Sequence, residues 1–192
     1  MIGREGQLSI EGDRAVLRFE RRLPYPPAAV WSALTEPSHR DRWMGKSSIE
    51  PREGGAIETV ASGPQLPPDM KRMTGRILVW DPPHVLEHEW HQPIVEPGVV
   101  RYELHPDGET GTLLQFTHSG LGVPNATGFR PGTQAFLDRL EAHLAGDPLP
   151  NWAERYREIA GIPPTYLPTY LPMRGKQMSD NHSDGAPVLA IA

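Results

Sequence analysis

Three side chains in the middle of the chain have the types needed for acid–base chemistry: His88, Tyr102 and His118. Histidine exchanges protons near neutral pH and a tyrosine hydroxyl can donate one, so these groups could act as general acid and base on a bound carbonyl compound. No more specific motif is present: the Gly-x-Ser-x-Gly, dinucleotide-binding and Walker patterns are all missing from the sequence. The chain has no cysteine, which excludes thiolate nucleophiles and cysteine-ligated metals.

The histidines do not form a recognisable metal-binding motif. The chain has eight of them, and none occurs in an HExxH or comparable local pair. His88 and His91 are three residues apart, and positions three apart in a strand point to opposite faces of the sheet. We therefore expect no metal ion and no other cofactor.

The segments around the three candidates alternate between apolar and polar residues, which is typical of half-buried strands. Successive side chains of a strand point to opposite faces, so residues two apart share a face. An error of one residue in the assignment of a strand would move all of its predicted inward-facing residues to the other face of the sheet. The residues that alternation places on one inward face are Leu86, His88, Trp90, Val100, Tyr102, Leu104, Leu114, Phe116 and His118.

The surrounding sequence has the pattern of an α+β domain. A strand that begins at Arg14 precedes two short helices, and short strands with local connections occupy residues 47–118. An apolar stripe predicts a long helix over 127–145, which Gly146 ends, and a shorter amphipathic segment follows at 152–160. This order predicts a curved antiparallel sheet packed around the long helix.

The sequence predicts one folded domain with a loosely ordered segment at each end. We predict a flexible leader over residues 1–12, a domain over 13–162 and a proline-containing, disordered tail over 163–192. The tail repeats Thr-Tyr-Leu-Pro at 165–168 and 169–172, which favours a proline-stiffened linker over a docking peptide.

The composition favours a cytoplasmic protein with no nucleic-acid partner. The net charge is −5, and the chain has no long basic run of the kind that tracks phosphates. The N-terminus is charged and no segment approaches the roughly 18–20 apolar residues of a membrane span, so neither a signal peptide nor a membrane span is expected. An exposed edge strand could support a homodimer, and both monomer and homodimer stay open.

A series of short segments appears in a recognisable order along residues 14–146. It begins with Arg18-Phe-Glu-Arg-Arg-Leu-Pro-Tyr-Pro-Pro-Ala-Ala-Val-Trp-Ser-Ala-Leu-Thr. The later segments are Trp43, Glu50-Pro-Arg-Glu-Gly-Gly, Gly75-Arg-Ile-Leu, Asp81-Pro-Pro-His-Val-Leu, Trp90, Tyr102-Glu-Leu, Gly111-Thr-Leu-Leu and Thr117-His-Ser-Gly-Leu. The series resembles the START-like, Bet v 1-like superfamily (SRPBCC), and within it the branch named after the activator of Hsp90 ATPase.

The resemblance implies a helix-grip fold, in which a sheet of about seven strands and two short helices surround a long C-terminal helix. Members bind lipids, hormones, polyketides and other apolar molecules, and a minority are cyclases, hydrolases or dehalogenase-like enzymes. A shared fold does not select one of these functions.

We therefore predict an internal cavity between sheet and long helix that binds an apolar or aromatic small molecule, lipid- or polyketide-like. The side chains expected to line it could instead fill an ordinary core. The residues expected to line the cavity are Trp31, Leu34, Trp43, Met44, His88, Trp90, Tyr102, Phe116, His118, Phe129, Phe136 and Leu140.

Two other functions stay open. The first is a cavity-based enzyme of the cyclase or hydrolase type, with His118, Tyr102 and His88 as acid–base groups. The second is a protein-interaction or cochaperone-like role, which the name of the branch suggests. A binding protein is favoured over both, because no motif in the chain is specific for catalysis.

Overall fold

The computed structural model describes residues 2–162. These residues form eight strands and four helices. In chain order the elements are β1 (Gln7–Glu11), β2 (Arg14–Leu23), α1 (Pro27–Thr35), α2 (Pro37–Trp43), β3 (Gly45–Ile49), β4 (Ala56–Ala61), β5 (Arg72–Asp81), β6 (Val85–Trp90), β7 (Gly98–Asp107), β8 (Gly111–Gly122), α3 (Val123–Ala145) and α4 (Trp152–Ala160).

All eight strands belong to one curved antiparallel sheet, in the order β1-β2-β8-β7-β6-β5-β4-β3. Strands β3 to β8 follow one another as a meander, and β2 closes the arrangement by pairing with β8 along almost its whole length. The long helix α3 packs against this sheet, and α1 and α2 lie beside it. The order of elements predicted this curved antiparallel sheet around a long helix, and the architecture is the helix-grip fold that the family resemblance implied.

The first strand differs from the sequence prediction. Residues 1–12 were expected to be a flexible leader, but Gln7–Glu11 pairs with β2 and adds an eighth strand, with Leu8 opposite Leu17. Gly6 makes this possible, because it has a φ of +70° and a Cβ there would lie 2.2 Å from the Phe19 ring. The tail predicted for residues 163–192, with its Thr-Tyr-Leu-Pro repeat, lies outside the described residues.

The long helix begins one turn earlier than its apolar stripe indicated. It starts at Val123, with Pro124 in its first turn, where the missing proline N–H has no helical partner to lose. Pro131 therefore lies inside the helix. The end is as predicted: Gly146 has a φ of +72° and its N–H bonds back into the last turn.

One face of α3 is joined to α2 through Arg139. Its Nε donates to the carbonyl oxygen of Trp43 at 2.8 Å, and its Nη2 donates to that of Arg42 at 3.1 Å. Its Nη1 donates to the carbonyl oxygen of Pro150 at 2.6 Å. These bonds satisfy carbonyls at the end of α2 and fix α3 beside it.

Another face of α3 is joined to β2 and α4 by ion pairs around the buried Arg21 and the partly buried Asp138. Arg21 lies within 2.8 Å of Glu141 and 3.6 Å of Asp138, two acidic residues one turn apart on α3. Arg155 of α4 reaches the same Asp138 at 2.7 Å. Together with the bonds of Arg139, these pairs hold α3 over the inner face of the sheet.

Candidate functional site

The inner face of β6, β7 and β8 carries all three candidates for acid–base chemistry. His88 and His118 both lie opposite Val100 in the register, so they occupy one row of the sheet with a strand between them. Neighbouring strands are about 4.8 Å apart, which separates the two backbones by about 10 Å. Tyr102 lies in the next row, opposite Phe116. The inward orientation that alternation predicted is confirmed, since all three side chains are buried.

A small void remains between this face and α3. Its volume is about 20 Å³, enough for about one water molecule. The walls are mostly aromatic, with one histidine, one tyrosine and one threonine. The residues around the void are Trp43, Met44, Trp90, Tyr102, Phe116, His118, Phe129, Thr133, Phe136 and Leu137. In this conformation the aromatic side chains fill nearly all of the expected cavity.

The sequence-predicted residues fall into two groups around the void. Eight of them contact it, and the other four lie in the surrounding core. Trp31 packs edge-to-face against Trp80, with ring centroids 5.1 Å apart, while Leu34 and Leu140 are fully buried away from the void. His88 lies beside Trp90 in the core and does not contact the void.

Two lining residues were missed by sequence reasoning, Thr133 and Leu137 on α3. They follow Phe129 at intervals of four residues, so helical periodicity places them on the same face of α3 as Phe129. Thr133 was passed over because it is polar.

A larger depression on the outer surface is unrelated to this face of the sheet. It measures about 290 Å³ and lies where residues near the N-terminus meet α3 and α4. Its walls are mainly charged, and Arg155 there is paired with Asp138 and Glu158. We regard it as a solvated groove, because a small-molecule site is more often apolar and enclosed.

The two histidines are neutral at physiological pH. The Nδ1 of His88 donates to the carbonyl oxygen of Glu89 at 2.8 Å, which leaves its Nε2 as an unprotonated acceptor. Burial lowers the pKa of His88 to about 3, with a smaller contribution from the positive charge of Arg40. Burial likewise lowers the pKa of His118 to about 3, with a contribution from His88. Neither imidazole can therefore supply a proton at neutral pH.

Each histidine also presents an unpaired nitrogen. Among the described residues, the Nε2 atoms of His88 and His118 are buried without a hydrogen-bond partner. His118 contacts the void and is packed between Trp90 and Phe129, with ring centroids 5.2 Å and 5.6 Å away. Buried polar groups are normally paired, so these two atoms mark places where a further polar group would be favourable.

Arg40 is the polar residue near the site that sequence reasoning missed. It lies one turn before Trp43 on the buried face of α2 and has no exposed surface. Its guanidinium lies near the hydroxyl of Tyr102. Burial raises the pKa of that hydroxyl, and the charge of Arg40 opposes the rise. The arrangement thus combines an aromatic wall, a tyrosine hydroxyl, an unpaired imidazole nitrogen and a buried positive charge.

Catalytic contacts and metal ligands are not evident in residues 2–162. No hydrogen bond joins any two of His88, Tyr102 and His118. The described part of the chain contains no group of three or more histidine, aspartate or glutamate side chains that could hold a metal ion. It also contains no helix that is both long and apolar enough to span a membrane.

Several solved structures have the same fold. CalU16 from Micromonospora echinospora has a TM-score of 0.60 and 23% identity, over 82% of this chain and 94% of its own. EF2215 from Enterococcus faecalis, a conserved protein of unknown function, has a TM-score of 0.64 and 18% identity, over 81% and 88% of the two chains. MLL2253 from Mesorhizobium loti has a TM-score of 0.59 and 27% identity, over 70% and 99%.

Sequence comparison identifies the family. No curated protein matches the chain in sequence. The family model for Activator of Hsp90 ATPase homolog 1-like proteins matches residues 24–145, which run from the end of β2 to the last residue of α3. These residues include every element that lines the void. The chain therefore belongs to the Activator of Hsp90 ATPase homolog 1-like family, a branch of the START-like, Bet v 1-like superfamily.

Proposed function

We propose that the protein binds an apolar or aromatic small molecule between the sheet and α3. The observation that carries the proposal is the unpaired Nε2 of His118, which is buried at the edge of the void among aromatic side chains. A self-contained core normally pairs such an atom or replaces the residue with an apolar one. One oriented polar group in an apolar wall is instead typical of small-molecule sites.

A ligand would need more space than the void offers. The void holds about one water molecule, so binding requires Phe129 or Phe136 to move, or α3 to shift away from the sheet. Both phenylalanines are on α3, so a shift of that helix would move them together. Opening of this kind is compatible with the superfamily's known binding of lipids and polyketides.

The acid–base alternative has less support. A histidine with a pKa of about 3 is a weak base and is not protonated at neutral pH. No specific observation favours a protein-interaction role over ligand binding.

The experiment is a titration with N-phenyl-1-naphthylamine, a neutral dye that fluoresces in apolar surroundings. We expect saturable binding and quenching of tryptophan fluorescence, since Trp43 and Trp90 contact the void. The dye should also stabilise the fold by about 3 kcal/mol at a hundred times its Kd. Absence of binding across a wide set of apolar dyes, fatty acids and polyketides would contradict the proposal.

A pair of α3 variants locates the site. Thr133→Phe places a ring, larger than the void itself, where the ligand would lie, and we expect it to weaken dye binding at least tenfold. Thr127→Phe adds the same ring to the exposed face of the helix and should leave binding unchanged. If both variants bind the dye as the unmodified protein does, the dye binds elsewhere and the proposed site is wrong. Melting temperatures of both variants check that they are folded.

A further inference from the structure

Helix α2 buries a guanidinium for which residues 2–162 offer no carboxylate within ion-pair distance. Arg40 is 0% exposed. Its Nη1 donates to the carbonyl oxygen of Leu34 at 2.9 Å, and its Nε makes a long contact of 3.4 Å with the hydroxyl of Thr59. Its Nη2 is buried and has no partner among the described residues. Arg40 is therefore a buried cation with neutral partners and one unused donor.

Arg21 differs from Arg40 in its charged neighbours, although two of its own nitrogens, Nε and Nη2, are also buried without a well-aligned hydrogen-bond partner. Arg21 is 2% exposed, nearly as deeply buried, but Glu141 and Asp138 surround it. Removing a charge from water is unfavourable unless an opposite charge or several hydrogen bonds compensate. Arg21 receives the opposite charge from two carboxylates of the protein. Arg40 has only neutral neighbours: the oxygens of Leu34 and Thr59, the Tyr102 hydroxyl and the face of the Trp43 ring. Its charge is therefore compensated less completely than that of Arg21.

Arg40 is next to the proposed ligand site. Its Cζ lies 5.8 Å from the ring centroid of Trp43, and its guanidinium lies near the Tyr102 hydroxyl. Both of these residues contact the void. Arg40 thus lies directly behind one end of the aromatic wall.

A purely structural role accounts for part of this geometry. The bond from Nη1 to Leu34 satisfies a carbonyl near the end of α1, where the helix has no partner for it. That bond needs one donor, and it explains neither the unpaired Nη2 nor the choice of a charged group beside Tyr102. An oxygen acceptor with a negative charge would satisfy both the unused donor and the uncompensated charge.

We propose that Arg40, together with the Tyr102 hydroxyl, binds a carboxylate carried by the apolar ligand. This inference rests on the proposed function and adds the chemical class of the ligand: an aromatic or aliphatic acid. The apolar body lies among Trp90, Phe116 and Phe129, and the carboxylate points toward α2. The site is shielded from water, which strengthens the attraction between carboxylate and guanidinium.

The test compares two small molecules of similar size, 1-naphthoate and 1-naphthalenemethanol, by their ability to displace N-phenyl-1-naphthylamine at neutral pH. The first is an anion and the second is neutral. Hydrogen bonds to charged groups correspond to roughly tenfold to hundredfold in affinity, so we expect naphthoate to bind at least tenfold more tightly. Arg40→Met should reduce the ratio of the naphthoate affinity to the naphthalenemethanol affinity to about one. Arg42→Met, a change at an exposed arginine of the same helix, should preserve the ratio.

The outcomes separate this inference from the proposed function. Equal affinities for the two compounds in the unmodified protein overturn the carboxylate site and leave apolar binding intact, whereas failure of the dye itself to bind overturns the proposed function. If Arg40 were only structural, Arg40→Met would weaken both compounds equally and the ratio would persist, which also refutes the inference. Should Arg40→Met not fold, Tyr102→Phe provides the second variant: a reduced ratio supports the site and an unchanged ratio counts against it.

Discussion

Acidification should destabilise the protein through its two buried histidines. In an unfolded chain a histidine has a pKa of about 6.5. In the folded protein, burial lowers the pKa of His88 and of His118 to about 3. Between these values the unfolded state binds protons that the folded state excludes, so the free energy of unfolding decreases as the pH falls below about 6.5 and continues to decrease until about 3.

The magnitude follows from the width of this window. Each pH unit below the unfolded pKa corresponds to about 1.4 kcal/mol for one histidine, so at pH 5 each contributes a loss of about 2 kcal/mol relative to pH 8. The two together give about 4 kcal/mol, a large part of the roughly 5–15 kcal/mol that stabilises a typical domain.

Urea unfolding followed by tryptophan fluorescence at pH 8, 7, 6 and 5 measures this loss. Because other groups also titrate, the informative quantity is the difference in pH dependence between the unmodified protein and the His118→Leu variant. Between pH 8 and pH 5 the free energy of unfolding of the variant should decrease by about 2 kcal/mol less than that of the unmodified protein. The matched control is His84→Gln, which replaces an exposed histidine. The reasoning is refuted if His118→Leu has the same pH dependence as the unmodified protein, or if NMR shows the His118 ring protonating above pH 5.

Three further substitutions test the packing that holds the site, each measured by urea unfolding. Arg21→Met should lower the free energy of unfolding by about 1–3 kcal/mol, because Asp138 and Glu141 lose their buried partner and keep only Arg155 and Arg4, whereas the exposed Arg22→Met should have a much smaller effect. Gly45→Ala should destabilise far more than Gly108→Ala: both glycines have positive φ, but only at Gly45 would a Cβ lie 2.2 Å from a backbone oxygen. Trp152→Ala should cost about 3–5 kcal/mol, since the buried indole packs on α3 and donates to a carbonyl oxygen there; a loss below about 1 kcal/mol would show that α4 contributes little.

The sequence predicted which side chains face the site, because one face of the sheet packs against α3 and buried positions alternate with less buried ones along β6, β7 and β8. Alternation alone therefore placed His88, Tyr102 and His118 on the inner face. Helical periodicity also identified most of α3 and missed its first turn, because the apolar stripe that indicates the helix does not extend to Pro124.

Other features depend on tertiary structure and leave no local pattern. Arg40 and Arg42 look alike in the sequence, yet one is fully buried and the other is exposed, because only the packing of α2 on the sheet decides which side each faces. Strand β1 was missed because it is short and mostly exposed, and it is defined by its pairing with β2. The size of the void was equally beyond sequence reasoning, since it depends on how the aromatic rings interdigitate.

The hydrogen bonds of Arg139 have a consequence for the rate of binding. They hold α3 against the end of α2, and the space behind α3 admits only about one water molecule. If the space for a larger molecule comes from a shift of α3, and not from rotation of Phe129 or Phe136 alone, that molecule must wait until this contact opens, a motion of the kind that takes microseconds to milliseconds. At a high concentration of such a molecule the observed association rate would stop increasing and equal the opening rate, so the helix contact, and not diffusion, would set the rate of binding.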